Sequence, residues 1–378
     1  MSQLSPESFR ELFPMLASST HLASCSQGAR STELELSLAR MLDTISDQGA
    51  PWGLWMEEVE RARAAFAALI NASPSEIALV PNASVGAYQV ASTLDHAQRP
   101  GIVSTDMEFP SIGHVWLAQR PRGATVTFAP ETDGHVEAAE YAKLIDQRTN
   151  LVSAPLVSYK NGARMPLPDI IALAHEAGAR VFIDAYQGAG VVPTDVKALG
   201  CEYLVSGTLK YMLGLPGLAF LYVRDTIADQ VDPELTGWFG RVNPFEFDPR
   251  SLDFAADARR METGTPSVPS VYAASAGMRV LQQRNEKIAW DCVQARVAQT
   301  ATAIEELGYQ LYSPREASVR GPQVAVRTED PERLGAFLRE RRIFTSPRGN
   351  VVRLSFQYYN TEADVEACVS AFAEFRSA

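Results

Sequence analysis

Cysteine and histidine are scarce in this sequence, and neither occurs in a metal-binding spacing. The four cysteines are Cys25, Cys201, Cys292 and Cys368; no two of them form a CxxC pair, and the five histidines are equally scattered. This excludes the common zinc spacings. Widely separated cysteines are typical of reduced thiols rather than of a disulfide framework. We therefore expect no metal ion.

Long apolar runs and an excess of positive charge are also absent. No run is long enough to cross a bilayer, and the stretch MSQLSPESFRELF has no basic segment followed by an apolar core. We therefore expect no membrane contact, no signal peptide and a cytoplasmic location. The formal net charge is −11 and basic residues do not cluster, which argues against nucleic-acid binding.

What the chain does contain is a series of short apolar segments that alternate with helical patterns. Seven segments read as strands, at 77–81, 101–105, 125–129, 151–158, 181–184, 203–207 and 218–223. Because these runs are almost continuously apolar, they predict strands that are covered on both faces. The pattern predicts an α/β fold with a mainly parallel seven-stranded sheet flanked by helices. In such sheets, ligands bind beyond the carboxyl ends of the strands.

The pattern changes after the GTP at 264–266. A long helical stretch from about 271 to 307, broken near Asn285, precedes predicted strands at 308–312, 322–327 and 351–356, with helices near 331–341 and 361–376. This predicts a smaller α+β C-terminal domain. We expect an N-terminal segment at 1–20 that packs with the small domain, a large domain at 21–267 and the small domain, with its long linking helix, at 268–378.

Lysine is rare, and Lys210 lies in the apolar, glycine-containing stretch SGTLKYMLGLPG. The strand VFID ends in Asp184, and the next apolar strand ends just before Lys210, so the two side chains would face one cleft. Removal from water lowers the pKa of a lysine amine and makes it a nucleophile, as in Schiff bases with pyridoxal phosphate, whose pyridine nitrogen pairs with an acid. Taken alone, the two residues favour the simpler interpretation, in which Asp184 caps a turn and Lys210 lies on a surface loop.

The surrounding string, FIDAYQGAGVVPTDVKALGCEYLVSGTLKYMLGLPGLAFLYVR, resembles the core motif of the class V aminotransferase family. That family of fold-type I enzymes includes cysteine desulfurases, kynureninase, isopenicillin-N epimerase and several C–S lyases. The resemblance implies a large domain that binds pyridoxal 5′-phosphate, with Lys210 forming the Schiff base and Asp184 holding the pyridine nitrogen. It also implies a homodimer with sites at the interface and a small amino-acid substrate.

The resemblance extends to other cofactor-binding positions. In PNASVGAYQV, Ala83 and Ser84 resemble the phosphate-binding turn at a helix N-terminus. Phe109, in an FPS stretch of the kynureninase type, resembles the aromatic residue over the cofactor ring. Gln187 matches the group that bonds the phenolic oxygen, and either Ser158 or Tyr159 contacts the same edge.

Further positions concern the phosphate and the substrate. Family members commonly carry His or Tyr before the lysine, whereas this chain has Leu209, so the resemblance assigns more of the phosphate binding to Ser206 and Thr208. The GTP and GWFG stretches resemble segments in which Thr265, from the other subunit, and Trp238 reach the phosphate. In the C-terminal stretch VVRLSFQYYNT, Arg353 resembles the arginine that binds the substrate α-carboxylate.

The reaction type is less constrained than the cofactor. The loop RRIFTSPRGNVV, where desulfurases carry a nucleophilic cysteine, has none, which disfavours persulfide chemistry. Kynureninase has an acid where Ile112 stands and a histidine where Arg241 stands. We therefore expect a lyase that cleaves C–S bonds by β-elimination, with an aminotransferase, an epimerase or a kynureninase-like hydrolase as alternatives, and an inactive binding protein as a remote one.

Overall fold

The structure is a computed structural model that describes residues 3–377. Residues 1, 2 and 378 of the predicted segments lie outside it.

The first part of the chain is mainly helical. The elements before the main sheet are α1 (Pro6–Arg10), β1 (Thr20–His21), α2 (Thr32–Gln48) and α3 (Trp52–Leu69). Ser31 caps α2 by accepting the Leu34 N–H at 3.1 Å, which satisfies a donor of the first turn. Neither α2 nor α3 is among the helices predicted from the sequence.

A seven-stranded sheet forms the centre of the molecule. Its strands are β2 (Ile77–Val80), β3 (Gly101–Thr105), β4 (Thr125–Ala129), β5 (Thr149–Pro155), β6 (Arg180–Asp184), β7 (Tyr203–Gly207) and β8 (Ala219–Val223). The order is β2-β8-β7-β6-β5-β3-β4, and β8 alone runs antiparallel to its neighbours. The predicted α/β fold with a mainly parallel sheet is confirmed, and all seven strands predicted for this sheet are present.

The reversal at β8 follows from the length of its connection. Parallel neighbours need a crossover of a dozen or more residues, usually with a helix, whereas the chain returns from β7 to β8 through the short stretch between Thr208 and Leu218. Lys210 lies on this return, at the carboxyl end of β7. The connection therefore fixes the lysine at the sheet edge where ligands bind.

Helices cover both faces of the sheet. They are α4 (Ala83–Ser92), α5 (Pro110–Leu117), α6 (Ala138–Ala142), α7 (Leu167–Glu176), α8 (Val196–Leu199) and α9 (Asp225–Ala228). The helices α4 and α5 pack with residues such as Phe182 and Val205 on one face, whereas α7 packs with Val181 and Ile183 on the other. Burial on both faces explains why the strands are almost continuously apolar.

The C-terminal part has a small sheet of its own. Its elements are α10 (Val268–Leu281), α11 (Glu286–Glu306), β9 (Gln323–Arg327), α12 (Pro331–Glu340), β10 (Ile343–Phe344), β11 (Ser346–Arg348), β12 (Val351–Ser355) and α13 (Glu362–Ser377). The strands β11, β12 and β9 form an antiparallel sheet in that order. The break between α10 and α11 is where the sequence predicts it, because Asn285 caps α11 by accepting the Ile288 N–H.

One predicted strand is wrong. Residues 308–312 do not form a strand, although Leu311 makes an isolated bridge to Val326. Gly308 has a φ of +81°, which ends α11, and the Tyr309 hydroxyl donates to the carbonyl of Phe372 on α13. Two backbone hydrogen bonds at 2.8 Å, from Tyr312 N–H to the Ala325 carbonyl and from Arg327 N–H to the Gln310 carbonyl, still join the segment to β9, but they do not extend into a continuous ladder.

The N-terminal segment contacts the C-terminal part directly. Arg10 pairs with Asp364 of α13 at 2.8 Å, and β1 pairs in parallel with β10. The division at residues 20 and 267 stays a prediction. None of the helices within residues 3–377 combines the length and the apolar character that a membrane span requires.

Candidate active site

A cavity of about 260 Å³ opens at the carboxyl edge of the main sheet. The residues predicted from the sequence that line it are Ala83, Ser84, Phe109, Tyr159, Asp184, Gln187 and Lys210. They come from the ends of β2, β3, β5, β6 and β7, which are brought to one edge because these strands run parallel. The wall also includes Tyr186, Ile112 and Val157, so it is partly apolar.

Lys210 projects its amine among aromatic rings. Its Nζ lies 4.1 Å from the ring centroid of Tyr186 and 5.5 Å from that of Phe109. Burial lowers the pKa of Lys210 to about 8, although the charge of Asp184 opposes the shift. A lysine with this pKa has a much larger neutral, nucleophilic fraction near pH 7 than an ordinary lysine.

Asp184 is the acidic partner in the same cavity. It is the last residue of β6, it is 5% exposed, and its Oδ1 accepts the Tyr186 N–H at 2.8 Å. Burial raises the pKa of Asp184, while the Tyr186 N–H and the Lys210 amine oppose that rise. A carboxylate fixed at this position can hold a positively charged ring nitrogen.

A second buried carboxyl group, Glu108, lies behind this site, and the sequence analysis did not single it out. Its Oε1 accepts the Phe109 N–H at 2.8 Å, and its Oε2 accepts the Ser153 hydroxyl at 3.2 Å. Burial, and then the charge of Asp184, raise the pKa of Glu108 well above its usual range. Glu108 therefore holds the backbone at Phe109 and keeps its proton to a higher pH than an exposed glutamate.

The N-terminus of α4 faces the cavity with unused donors. Asn82 caps the helix by accepting the Val85 N–H at 3.0 Å, and the N–H groups of Ala83 and Ser84 precede the helical bonding pattern. The helix dipole adds positive potential at this end. An anionic phosphate would be bound here by backbone donors and by the Ser84 hydroxyl.

The side-chain oxygen of Gln187 is available to a ligand. Its Nε2 donates to the carbonyl of Cys25 at 3.1 Å, while its Oε1 is buried and, among residues 3–377, has no hydrogen-bond partner. Buried polar atoms are rarely left unpaired. The residues present thus fit pyridoxal 5′-phosphate: Lys210 for the aldehyde, Asp184 for the ring nitrogen, Gln187 for a ring substituent and α4 for the phosphate.

The structure distinguishes Ser158 from Tyr159. Tyr159 lines the cavity with its ring 5.0 Å from that of Phe109, edge to face. Ser158 is fully buried, and its hydroxyl bonds to the Met107 carbonyl at 3.4 Å. The geometry therefore favours Tyr159 as the residue at the cofactor edge.

Arg353 is a buried cation beside the cavity. It lies on β12, is 2% exposed, and donates to the Tyr159 carbonyl at 2.8 Å and to the Ser26 hydroxyl at 3.3 Å. Its Nε also donates to the Ser346 carbonyl at 3.2 Å, so three of the five guanidinium N–H donors are used and two are left for a carboxylate. Its positive charge also contributes to the lowered pKa of Lys210, which places it within electrostatic reach of the amine.

Two residues predicted to replace the missing phosphate donor have other partners. The Thr208 hydroxyl donates to the Leu215 carbonyl at 2.7 Å, and the Ser206 hydroxyl donates to the Gly207 carbonyl at 3.1 Å. Both side chains are fully buried and neither lines the cavity. This geometry does not support a phosphate contact from either side chain, because each hydroxyl donates to a backbone carbonyl, at Gly207 at the end of β7 and at Leu215 in the connection to β8.

Trp238 and Thr265 do not line the cavity of this single chain. Trp238 belongs to an aromatic group with Trp52 and Phe245, at centroid distances of 5.6 and 5.7 Å. Thr265 is exposed. Their contacts with the phosphate stay predictions, as does the homodimer in which Thr265 would reach the partner's site.

The comparisons with known proteins agree with this site. The family model for aminotransferase class-V matches residues 46–368. The uncharacterized aminotransferase YcbU of Bacillus subtilis (strain 168) is 36% identical over 97% of both chains. A kynureninase of Pseudomonas fluorescens is 29% identical over 74% of this chain and 68% of its own length.

Solved structures show the same fold. An apo cysteine desulfurase from Thermococcus onnurineus NA1 matches with a TM-score of 0.89 at 22% identity, over 99% of each chain. The cystine C-S lyase C-DES, in complex with its product cysteine persulfide, matches with a TM-score of 0.87 at 22% identity, over 96% of this chain and 99% of its own. The fold, the family match and the fit of the cavity agree, and the chain belongs to the class V aminotransferase family of pyridoxal-phosphate-dependent enzymes.

Proposed function

We propose that this enzyme is a lyase that cleaves a C–S bond of a small L-amino acid by β-elimination, and that it acts as a homodimer. The observation that carries this proposal is the Lys210 amine, with its pKa lowered to about 8, in one cavity with Asp184 and beside Arg353. Pyridoxal 5′-phosphate, when bound, supplies the electron sink that makes the substrate Cα acidic.

The chain's own residues would carry the remaining tasks. Arg353 binds the α-carboxylate with its planar fork, which orients the substrate Cα–H bond toward Lys210. The neutral Lys210 amine takes that proton, the Cβ–S bond breaks with its electron pair on sulfur, and the Lys210 ammonium returns the proton to the leaving thiolate. With one water consumed, the products would be the free thiol, pyruvate and ammonia.

The placement of the cysteines supports elimination without a persulfide on the protein. Burial raises the pKa of both Cys201 and Cys368 to about 12, so neither is a ready thiolate. The strands β10 and β11, which precede Arg353, carry no cysteine. Cys25 contributes its backbone carbonyl to Gln187 and is 1% exposed.

Aminotransfer is the second candidate, because the relative at 36% identity is named an aminotransferase. Aminotransfer would use the same Lys210, Asp184 and Arg353; Lys210 would take and return a proton, and no sulfur would be lost. The kynureninase-like reaction has less support. Ile112, which lines the cavity, offers no acid, and Arg241 is held by Asp253 at 2.7 Å.

The test has two stages. Purified enzyme should show the visible absorbance of bound cofactor, and Lys210→Ala should lose the activity, whereas the exposed Lys197→Ala should keep both band and activity. Pyruvate and ammonia from S-alkyl cysteines would establish the lyase. Amino transfer to a keto acid would establish the aminotransferase, and exchange of α-deuterium with racemisation alone would establish an epimerase. A wild type without the band would contradict the proposal.

A further inference from the structure

A second cavity lies beside the first, and Tyr159 lines both. Its volume is about 370 Å³, and its wall combines three cationic side chains, Lys160, Arg327 and Arg348, with Glu131 and Tyr312. The protein as a whole is strongly acidic, with a net charge of −11. A local excess of positive charge next to the active site is therefore a feature that composition does not explain.

The arrangement of the arginines follows from the register of the small sheet. Arg348 on β11 and Arg327 on β9 are both directly opposite Val351 of β12. Cross-strand partners share a face of the sheet, as do residues two apart on one strand. Arg353 is two residues after Val351, so all three guanidiniums belong to one face.

Two of these charges are not neutralised by the protein. Lys160 lies 3.7 Å from the carboxylate of Glu131, which offsets its charge. Arg327 lies over the ring of Tyr312, 4.3 Å from the centroid, and this contact leaves its charge in place. Within residues 3–377, neither Arg327 nor Arg348 forms an ion pair or a side-chain hydrogen bond. Their donors are free for an anion.

We propose that the second cavity binds an anionic group at the end of the substrate side chain. The enzyme would then act on L-amino acids that carry a second, distal carboxylate or sulfonate, with Arg353 taking the α-carboxylate and Arg348 and Arg327 taking the distal anion. Guanidinium forks match such planar or trigonal oxyanions with paired hydrogen bonds. An apolar side chain would instead remove water from two charged groups without compensation. The inference rests on the proposed function, whose site supplies the first carboxylate contact.

The test compares substrates that differ in the distal charge and little else. S-Carboxymethyl-L-cysteine and S-carbamoylmethyl-L-cysteine have the same number of heavy atoms, and L-glutamate and L-glutamine form the equivalent pair for aminotransfer. L-Cysteate serves as a sulfonate ligand. We expect the holoenzyme to prefer the carboxymethyl compound by about 10- to 100-fold in kcat/KM, mainly through KM, since charge-assisted hydrogen bonds are lost with the amide. Affinities of the same pairs are measured by calorimetry, which requires no turnover.

The variants separate the cavity from general charge. Arg348→Gln combined with Arg327→Gln should abolish the preference, because the charged member loses more affinity than the neutral one. Arg339→Gln, an exposed site on α12, removes one positive charge outside the cavity, as each single variant does inside it, and should leave the preference intact. Each single variant is also measured, since loss of the contact between Arg327 and Tyr312 can alter the fold locally.

Either of two results would overturn the inference: the wild type binds both members of each pair equally well, or the preference survives in the double variant. Failure of the proposed function looks different. In that case no amino acid is turned over or the cofactor band is missing, while the calorimetric comparison of charged and neutral ligands still gives its own answer.

Discussion

The amine of Lys210 lies over the ring of Tyr186, and the tip of that ring rests on Gly207. The Nζ is 4.1 Å from the ring centroid, and a Cβ added at Gly207 would lie 2.1 Å from the phenolic oxygen. Gly207 therefore provides the space that allows Tyr186 to lie under the lysine. Tyr186 lies between Asp184 and Gln187 in sequence, and all three residues line the cavity.

Gly207→Ala should displace the Tyr186 ring into the cavity. We expect the dissociation constant of pyridoxal 5′-phosphate to rise by about 10- to 100-fold, as overpacking typically costs about 1–3 kcal/mol. Titration of the cofactor-free protein, followed by its visible absorbance, measures this. Gly53→Ala is the control, because nothing lies within 4 Å of a Cβ there. An unchanged dissociation constant for Gly207→Ala would show that Tyr186 does not constrain the site.

Lys210→Met should stabilise the cofactor-free protein at neutral pH. Folding lowers the pKa of Lys210 from 10.5 to about 8, so the unfolded chain binds more protons between these values, and the free energy of unfolding of the wild type rises with pH across that range. The variant lacks this rise. The difference in free energy of unfolding between Lys210→Met and the wild type should therefore be largest below pH 8, at about 1–3 kcal/mol in favour of the variant. It should shrink toward pH 10.5.

Urea unfolding at a series of pH values measures this difference, with Lys197→Met as the exposed control. If the curves of wild type and Lys210→Met run parallel from pH 7 to 10.5, the amine is not held out of water.

Glu108→Gln should change the pH dependence of stability in the opposite direction. Folding raises the pKa of Glu108, so the folded protein binds the extra proton, and the free energy of unfolding of the wild type falls as the pH rises above 4.5. The amide variant has no proton to lose, so we expect it to gain stability relative to the wild type from pH 5 to pH 8. Thermal unfolding at the two pH values gives the comparison, with the exposed Glu11→Gln as reference. If the difference in stability between Glu108→Gln and the wild type is the same at pH 5 and pH 8, folding does not raise the pKa of Glu108.

Arg353→Lys should weaken the substrate and spare the cofactor. A lysine keeps the charge but lacks the planar fork that pairs with a carboxylate. We expect KM to rise by about 10- to 100-fold with little change in kcat and an unchanged visible band. Steady-state kinetics and absorbance measure these quantities, and Arg339→Lys serves as the matched control. A KM of Arg353→Lys equal to that of the wild type would show that Arg353 does not bind the substrate.

Much of the fold could be predicted from local pattern. The strands of the main sheet are continuous apolar runs because helices cover both faces, and Asp184 and Lys210 follow two of those runs directly. The helices α2 and α3 were missed. The segment at 308–312 reads as a strand locally, but it pairs with β9 only through an isolated bridge at Leu311, and its Tyr309 hydroxyl bonds to α13.

The remaining parts of the site depend on contacts that spacing does not encode. Ser206 and Thr208 have hydroxyls suited to a phosphate, yet backbone carbonyls of their own connection take both. Arg327 and Arg348 become neighbours only through the register at Val351, and a shift by one residue would send either side chain to the other face. Glu108 could have been noticed, since it immediately precedes Phe109 in the motif.

The pairing of Arg10 with Asp364 has a consequence for the order of folding. The two residues are 354 positions apart, and Ser26, which contacts Arg353, is 327 positions from its partner. Bringing together residues so far apart in sequence closes a long chain loop, which costs conformational entropy. These contacts are therefore expected to form after the strands of the main sheet have paired. A chain can then reach a stage in which its central sheet is assembled while the groove for the substrate is not. Material trapped at that stage would look folded by its secondary structure and still lack a working site.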